Sequence, residues 1–90
     1  MLICEVVGHV WATKKEAELN GMKLMVVQQV DHASGKKKEN TLVAADVVGA
    51  GIGEKVLVVS GSTARRAFGN DNLPIDAAIV GIIDSVEVGI

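Results

Sequence analysis

Aromatic side chains are nearly missing from this 90-residue sequence, which has one tryptophan, Trp11, one phenylalanine, Phe68, and no tyrosine. Proteins that bind single-stranded nucleic acid commonly stack the bases on such rings. Basic charge is also short: 9 Lys and Arg face 11 Asp and Glu, whereas a protein that binds the phosphate backbone normally carries a basic excess. Both shortages argue against nucleic acid as a partner.

Cysteine and long apolar runs are scarce as well. The single cysteine, Cys4, excludes a disulfide within the chain, and no Cys and His residues have the spacing of a zinc site. No stretch of about 18 apolar residues is present to cross a membrane, and the first residues lack the pattern of a signal peptide. The sequence therefore predicts a cytoplasmic protein with no metal, cofactor or membrane partner.

Apolar residues nevertheless make up 49% of the sequence, and most of them are aliphatic. A chain of this size buries only about 60% of its unfolded surface, so its core alone gives marginal stability. Because disulfides and metals are excluded, we expect the missing burial to come from contacts between subunits. Residues 1–90 are thus predicted to form one domain that assembles into an oligomer.

Five apolar runs, separated by clusters of Gly, Asn, Asp and Lys, predict five β-strands. The polar stretch 31–40 between the second and third runs is predicted to be a mobile hairpin tip. The runs cover residues 2–11, 22–30, 41–48, 55–60 and 77–86. Alternation in the second run predicts that four side chains face the core: Met22, Leu24, Val26 and Val30.

One short helix is predicted between the fourth and fifth strands. It covers residues 62–68, with the hydroxyl of Ser62 as its N-cap. Gly81 predicts a bend or bulge in the last strand. Five strands with one short helix in about 90 residues favour an all-β fold, a small five-stranded OB-like β-barrel.

A glycine-rich segment, Gly49-Ala50-Gly51-Ile52-Gly53, has the composition of a phosphate-binding loop. Such a loop must open a helix, whereas Glu54 and Lys55 lead directly into the fourth predicted strand. The sequence therefore favours a tight connection with positive φ angles over a nucleotide site.

The residue types of catalytic and metal sites occur without the patterns that would assemble them. No Gly-x-Ser-x-Gly turn presents a serine nucleophile. A metal site would need Cys4, His9 and His32 to converge from three separate elements. We expect His9 to be a surface or interface residue and His32 to be exposed in the polar loop, and we predict no enzymatic activity.

Two charged groups have more than one interpretation. Arg65 on the predicted helix is a candidate partner of Asp76, either within the chain or across a subunit boundary, where bidentate arginine contacts fix register. For Arg66, a solvated surface position is an equally good interpretation. The lysines at residues 36–38 are predicted to be a solvated loop tip, with an electrostatic contact to a partner as the alternative.

Five segments of the sequence together resemble the EutN/CcmL family. They occur in the order and near the spacing of that family and span nearly the whole chain. The segments are VGHVWATKK at residues 7–15, GMKL at 21–24, ADVVGAGIGE at 45–54, SGSTAR at 60–65 and IDAAIVGIID at 75–84.

This resemblance implies a non-enzymatic shell protein of a bacterial microcompartment. Its OB-like barrels would form a homo-pentamer at the five-fold vertices of a cytoplasmic shell that hexameric shell proteins otherwise tile. The residue pattern is closer to that of vertex proteins from catabolic compartments, of the ethanolamine, propanediol or glycyl-radical type, than to that of carboxysome proteins. A five-fold ring needs a heterologous interface, in which one patch meets a different patch of the next subunit. The alternative function, which follows from the barrel alone, is an OB-type module that binds an oligonucleotide or a small ligand.

The resemblance also implies that two segments lie at subunit contacts or around a central axis, with a structural rather than a catalytic role. Asp76 joins them as the candidate partner of Arg65. The candidate residues are Gly49, Ala50, Gly51, Ile52, Gly53, Glu54, Ser62, Thr63, Ala64, Arg65 and Asp76.

Overall fold

A computed structural model describes residues 1–12, 15 and 17–89. Within this part of the chain the elements are β1 (Leu2–Val10), a 3-10 turn (Ala17–Leu19), β2 (Lys23–Val30), β3 (Lys37–Asp46), β4 (Lys55–Ser60), α1 (Ser62–Ala67) and β5 (Ala77–Ile82). Residues 13 and 14 of the first family-like segment lie outside the described residues. No described helix has the length and apolar character needed to cross a bilayer.

The five strands close into a barrel in the order β1-β2-β3-β5-β4. Neighbouring strands are antiparallel except β3 and β5, which run parallel and pair only through Ala45 with Ala78 and Asp46 with Ile79. The predicted five-stranded barrel, with its single short helix between β4 and β5, is confirmed for the described residues.

The interior of the barrel is filled by aliphatic and small side chains. Alternate residues of each strand point inward, and the small diameter of a five-stranded barrel can be filled by a few aliphatic side chains. This explains how a chain with two aromatic residues still builds a core. The fully buried members of the core are Cys4, Val6, Met25, Val27, Ala44, Ala50, Val56, Val58, Ala77 and Ile79.

The inward face of β2 differs from the prediction by one residue. Met25 and Val27 lie in the core, with 1% and 0% of their surface exposed, while Leu24 and Val26 are half-buried. Val30 is buried because a register shift just before it changes the alternation. The prediction was wrong because the outer face of β2 is apolar too and is itself partly covered. The residues misassigned to the core are Met22, Leu24 and Val26.

Strand β5 is buried on both of its faces. Ala77 and Ile79 face the barrel interior, whereas Ala78 packs outward against Ala64 of α1 in a second, smaller apolar cluster. The helix thus covers the outer face of the barrel next to β5. The bulge predicted near Gly81 is confirmed, since the register between β4 and β5 shifts immediately before that residue.

The polar stretch after β2 is shorter and more ordered than predicted. Strand β3 begins at Lys37 rather than at residue 41, so Lys37 and Lys38 belong to the strand, and Lys37 pairs with Val30 of β2. In the turn, the Asp31 carboxylate accepts hydrogen bonds from the amides of Ala33 (2.8 Å) and Ser34 (3.3 Å). These two bonds hold the pKa of the Asp31 carboxyl below its usual value.

Strand β5 also ends earlier than predicted, at Ile82 instead of residue 86. The amide of Ile83 still donates a hydrogen bond to the carbonyl of Lys55, 2.8 Å away. Residues 84–89 follow without a strand partner in the described part of the chain. The prediction ran to residue 86 because apolar and polar residues continue to alternate after Ile82. Among the described residues, no neighbouring strand pairs with this stretch.

The buried thiol of Cys4 provides a test of barrel closure. Its side chain lies in the core, and burial raises the pKa of the thiol above its ordinary value, so the reactive thiolate is disfavoured. We expect no reaction with Ellman's reagent at pH 8 in the native protein and complete reaction in guanidinium chloride. Rapid labelling of the native protein would mean that β1 separates from its neighbours.

Candidate functional site

The glycine loop between β3 and β4, residues 47–54, is organised by the carboxylate of Asp46. Oδ1 accepts hydrogen bonds from the amides of Val48 (2.9 Å) and Gly49 (3.1 Å), and Oδ2 accepts one from Ala50 (2.7 Å). The side chain of Asp46 is completely buried. A short acidic side chain that binds the amides following it is a common way of holding a turn.

Lys23 on β2 compensates the buried charge of Asp46. Its Nζ lies 3.4 Å from Oδ2 of Asp46 and also donates a hydrogen bond to the carbonyl of Ala50. The side chain of Lys23 is 37% exposed, so Lys23 keeps part of its hydration while it neutralises the carboxylate. Lys23 and Asp46 are paired across β2 and β3, which ties the glycine loop to the barrel wall.

The second half of the loop is held by Glu54. Its Oε1 accepts a hydrogen bond from the amide of Gly51 at 2.6 Å, and its own amide donates to the carbonyl of Gly51 at 3.1 Å. The amide of Gly53 donates to the carbonyl of Val6 on β1. Gly53 has a φ of 92° and Gly49 a φ of 80°, values that side chains other than glycine rarely adopt.

These hydrogen bonds explain why the loop is not a phosphate cradle. The backbone amides that an anion would need already donate to acceptors within the chain, and two of those acceptors are carboxylates that would repel a phosphate. The tight connection with positive φ angles that the sequence favoured is confirmed. The amides engaged are those of Val48, Gly49, Ala50, Gly51, Gly53 and Glu54.

Three apolar side chains on this loop point toward solvent. Val47 is 40% exposed, Val48 39% and Ile52 66%, although the backbone that carries them is fixed by the Asp46 and Glu54 bonds. We call Val47, Val48 and Ile52 the apolar loop surface. Ala50, in contrast, is fully buried, and its side chain packs in the core of its own subunit.

Helix α1 begins differently from the prediction. Gly61, with a φ of 65°, is the N-cap, and Ser62 is the first helical residue with no capping hydrogen bond from a side chain. The prediction of Ser62 as N-cap was therefore wrong, because the glycine takes the conformation that starts the helix. Ser62 and Thr63 are exposed, whereas Ala64 is buried against β5.

Arg65 joins the helix to the segment before β5 through the backbone. Its Nη1 donates a hydrogen bond to the carbonyl of Ile75 at 3.1 Å, and the amide of Gly61 donates to the carbonyl of Asp76 at 2.8 Å. The ion pairs among the described residues are Lys23 with Asp46 and Lys37 with Glu5, so Arg65 and Asp76 do not pair within that part of the chain. The side chain of Asp76 lies on the surface.

The candidate residues thus form two groups at opposite ends of β4. The glycine loop precedes Lys55, whereas α1 and Asp76 lie beyond Ser60. A six-residue strand spans about 17–20 Å, so the two groups do not make one compact site. The arrangement instead presents two different surfaces on one subunit.

The remaining sequence candidates stay apart. Cys4 is in the core, His32 is exposed in the turn after β2, and His9 stacks on Trp11 with ring centroids 4.4 Å apart. The described residues contain no group of three or more His, Cys, Asp or Glu placed to hold a metal ion. Trp11 is 84% exposed, and its pairing with His9 was not anticipated from the sequence.

The organising role of Asp46 was also missed at the level of sequence. An aspartate two residues before a Val-Gly step is a recognisable turn signal, and it could have indicated the residue that holds the loop. What the sequence does not indicate is the pairing with Lys23, because the two residues are 23 positions apart and meet only across the β2–β3 ladder.

Removing the Asp46 carboxylate is expected to loosen the glycine loop. Asp46→Ala leaves three amides without their acceptor and Lys23 without its partner, so we expect a loss of at least about 2 kcal/mol in the free energy of unfolding. Denaturant titration at fixed protein concentration measures this loss. The exposed Asp71→Ala variant is the control, with an expected change below about 0.5 kcal/mol. Equal stability of the two variants would contradict the role assigned to Asp46.

Comparison with known proteins places this geometry in a family. Residues 1–84 match the family described as ethanolamine utilisation protein EutN/carboxysome. The chain is 49% identical over 88 residues to the carboxysome shell vertex protein CcmL of Synechocystis sp., covering 98% of this chain and 87% of the relative. It is 45% identical over 87 residues to the bacterial microcompartment shell vertex protein GrpN of Rhodospirillum rubrum, covering 97% of each.

Solved structures agree with the sequence comparison. The GrpN pentameric microcompartment shell protein from Rhodospirillum rubrum superposes with a TM-score of 0.90 at 42% identity and covers 99% of this chain and 100% of that one. The structure of Gloeobacter violaceus CcmL gives a TM-score of 0.91 at 43% identity, with 98% and 90% covered. The resemblance noted in the sequence is confirmed by all three kinds of comparison, and the chain belongs to the EutN/CcmL family.

Proposed function

We propose that this protein is a shell vertex protein of a bacterial microcompartment, acting as a homo-pentamer in the cytoplasm. The observation that carries the proposal is membership of the family over residues 1–84, together with relatives that are named as shell vertex proteins and a GrpN structure described as pentameric. In this proposal residues 1–90 act as one vertex domain with a structural rather than a catalytic role, and hexameric shell proteins are its neighbours.

The shape of the subunit supports a ring. A closed ring with five-fold symmetry needs two different surfaces on each subunit, which meet each other around the ring. The glycine loop and the α1 region, separated by the length of β4, are two such surfaces. We propose that both lie in subunit contacts or near the axis, with the exposed candidates of each group facing a neighbour.

The apolar loop surface supports the same proposal. Three aliphatic side chains are held in water by a backbone that is already fixed, so burying them on assembly costs little conformational entropy. A 90-residue barrel with a narrow core gains most from such burial.

The type of compartment is a finer question. The sequence pattern favoured a catabolic compartment, but the carboxysomal CcmL relatives and the GrpN relative are similar to this chain to about the same degree. The proposal is therefore limited to the vertex of a microcompartment shell.

Native mass spectrometry tests the proposed pentamer directly. At micromolar concentration the wild-type protein is expected to give a dominant species of five times the 9.4 kDa mass of the chain. The reason is that the exposed apolar side chains of each subunit are covered only in the complete ring. A stable monomer or dimer under these conditions would contradict the proposal.

A charge placed on the apolar loop surface is expected to weaken the ring. Ile52 is 66% exposed in the subunit, so Ile52→Asp should leave the barrel folded while it disfavours burial of the loop between subunits. We expect the concentration at which the ring half-dissociates to rise by at least about tenfold, measured by mass photometry on dilution. The exposed Ala33→Asp variant, in the turn between β2 and β3, is the control for added charge. If the two variants dissociate alike, the glycine loop is not a subunit contact.

A further inference from the structure

The outer edge of β3 lacks a strand partner over most of its length. Its other edge pairs with β2 at Lys37 and from Thr41 to Asp46, whereas β5 reaches this edge only at Ala45 and Asp46. Within residues 1–12, 15 and 17–89, no strand lies against the edge from Lys37 to Ala44. We call this the open β3 edge. Such an edge presents backbone donors and acceptors that another strand can pair with.

An apolar groove of about 200 Å³ runs beside the open β3 edge. Its lining is mostly apolar and includes Leu24 and Val43 of the barrel, Pro74 and Ile75 before β5, and one charged residue, Asp76. Val43 is 47% exposed at the groove. A strand added to this edge would place every second side chain over the groove, because side chains of a strand alternate between its two faces.

The segment that follows β5, residues 83–89, has the pattern of a strand but no partner. Val86 and Val88 alternate with the polar residues Ser85 and Glu87, which is typical of a strand with one apolar face. Val86 is 43% exposed and Val88 52%. We call residues 83–89 the post-β5 segment.

The charges of the two elements are complementary. The open β3 edge begins at the lysine run 36–38, while the post-β5 segment carries Asp84 and Glu87. Neither acid forms an ion pair among the described residues. Opposite charges at the two ends of an apolar contact fix its register more than they add to its affinity.

A parallel arrangement satisfies the charge and the apolar pattern together. Val88 lies four residues after Asp84, and Val43 lies five residues after Lys38, so a parallel strand brings Asp84 to the lysines and Val88 to the groove. The antiparallel arrangement would place the Asp84 carboxylate over the apolar groove, where it would lose its hydration.

The post-β5 segment does not reach this edge in its own subunit. Its first residues lie beside the ends of β1, β2 and β4 and beside the turn that leads into β3, at Ile3, Val30, Lys55, Asp31, His32 and Gly35. The segment thus borders the turn before β3 in its own subunit, but none of its residues lines the groove at Val43 and Pro74. A second copy of the chain is therefore the fitting donor.

We propose that residues 84–88 of one subunit add as a parallel strand to the open β3 edge of the next subunit in the ring, with Val86 and Val88 over the apolar groove. The contact joins two different surfaces, as a closed ring requires. It rests on the proposed pentamer and specifies one of its interfaces, which is separate from the glycine loop.

Cross-linking between introduced cysteines tests the proposed contact. The double variant Val43→Cys/Val88→Cys is treated with a short bismaleimide, while the buried Cys4 of the wild-type protein serves as the background. We expect covalent species of two to five chains, at least about tenfold above those from the single variants Val43→Cys and Val88→Cys.

The possible results separate this contact from the ring itself. If wild-type protein is a pentamer by native mass spectrometry but the double variant gives no cross-link, the contact is refuted and the vertex function stands. A cross-link confined to single chains also refutes it, because the segment would then pair within its own subunit. If the wild-type protein forms no pentamer, the proposed function fails and the contact fails with it.

Two proline variants give an independent measurement that does not depend on cysteines. In a strand paired along one edge, only alternate amides point to the partner, so proline blocks pairing at one of two adjacent positions. Of Val86→Pro and Glu87→Pro, we expect one to raise the half-dissociation concentration of the ring by about tenfold and the other to change it little. Rings that dissociate like wild type in both variants would overturn the proposal, as would equal weakening by both.

Discussion

Closure of the barrel depends on a very short parallel contact between β3 and β5. Two residue pairs make this contact, and one of them contains Asp46. The same residue holds the amides of the following loop and pairs with Lys23 on the neighbouring strand. The end of β3 therefore closes the barrel, carries the buried carboxylate that Lys23 neutralises, and sets the path of the glycine loop.

Two consequences follow from the shortness of this contact. On one side of it, the chain turns away into the glycine loop, which is fixed by its own hydrogen bonds and carries aliphatic side chains into solvent. On the other side, the outer edge of β3 runs on without a strand partner among the described residues. A barrel that closed along the full length of β3 would leave no open edge for a neighbouring subunit.

The proposed vertex role would cover the surfaces that a single subunit leaves exposed, namely the apolar loop surface and the open β3 edge. Family membership supplies the kind of assembly, and the barrel supplies two surfaces separated by β4 and an edge beside an apolar groove. Five-fold closure accommodates all of them, because a heterologous interface joins unlike surfaces and repeats until the ring is complete. The scarcity of aromatic residues fits this role, since close packing between small barrels relies on aliphatic side chains and backbone contacts rather than on ring stacking.

The sequence by itself determined the number of strands, the barrel class, the place of the helix and the family, because apolar runs, turn residues and segment order are local features. It also predicted the tight glycine loop. Only the tertiary structure decided which face of β2 is inside, since both faces are apolar and the register shift before Val30 is invisible in the alternation. The tertiary structure also determines the ion pair between Lys23 and Asp46. It likewise determines that Arg65 donates a hydrogen bond to the carbonyl of Ile75 instead of pairing with Asp76. Each of these contacts links positions far apart in the chain, so its geometry exists only once the strands have paired.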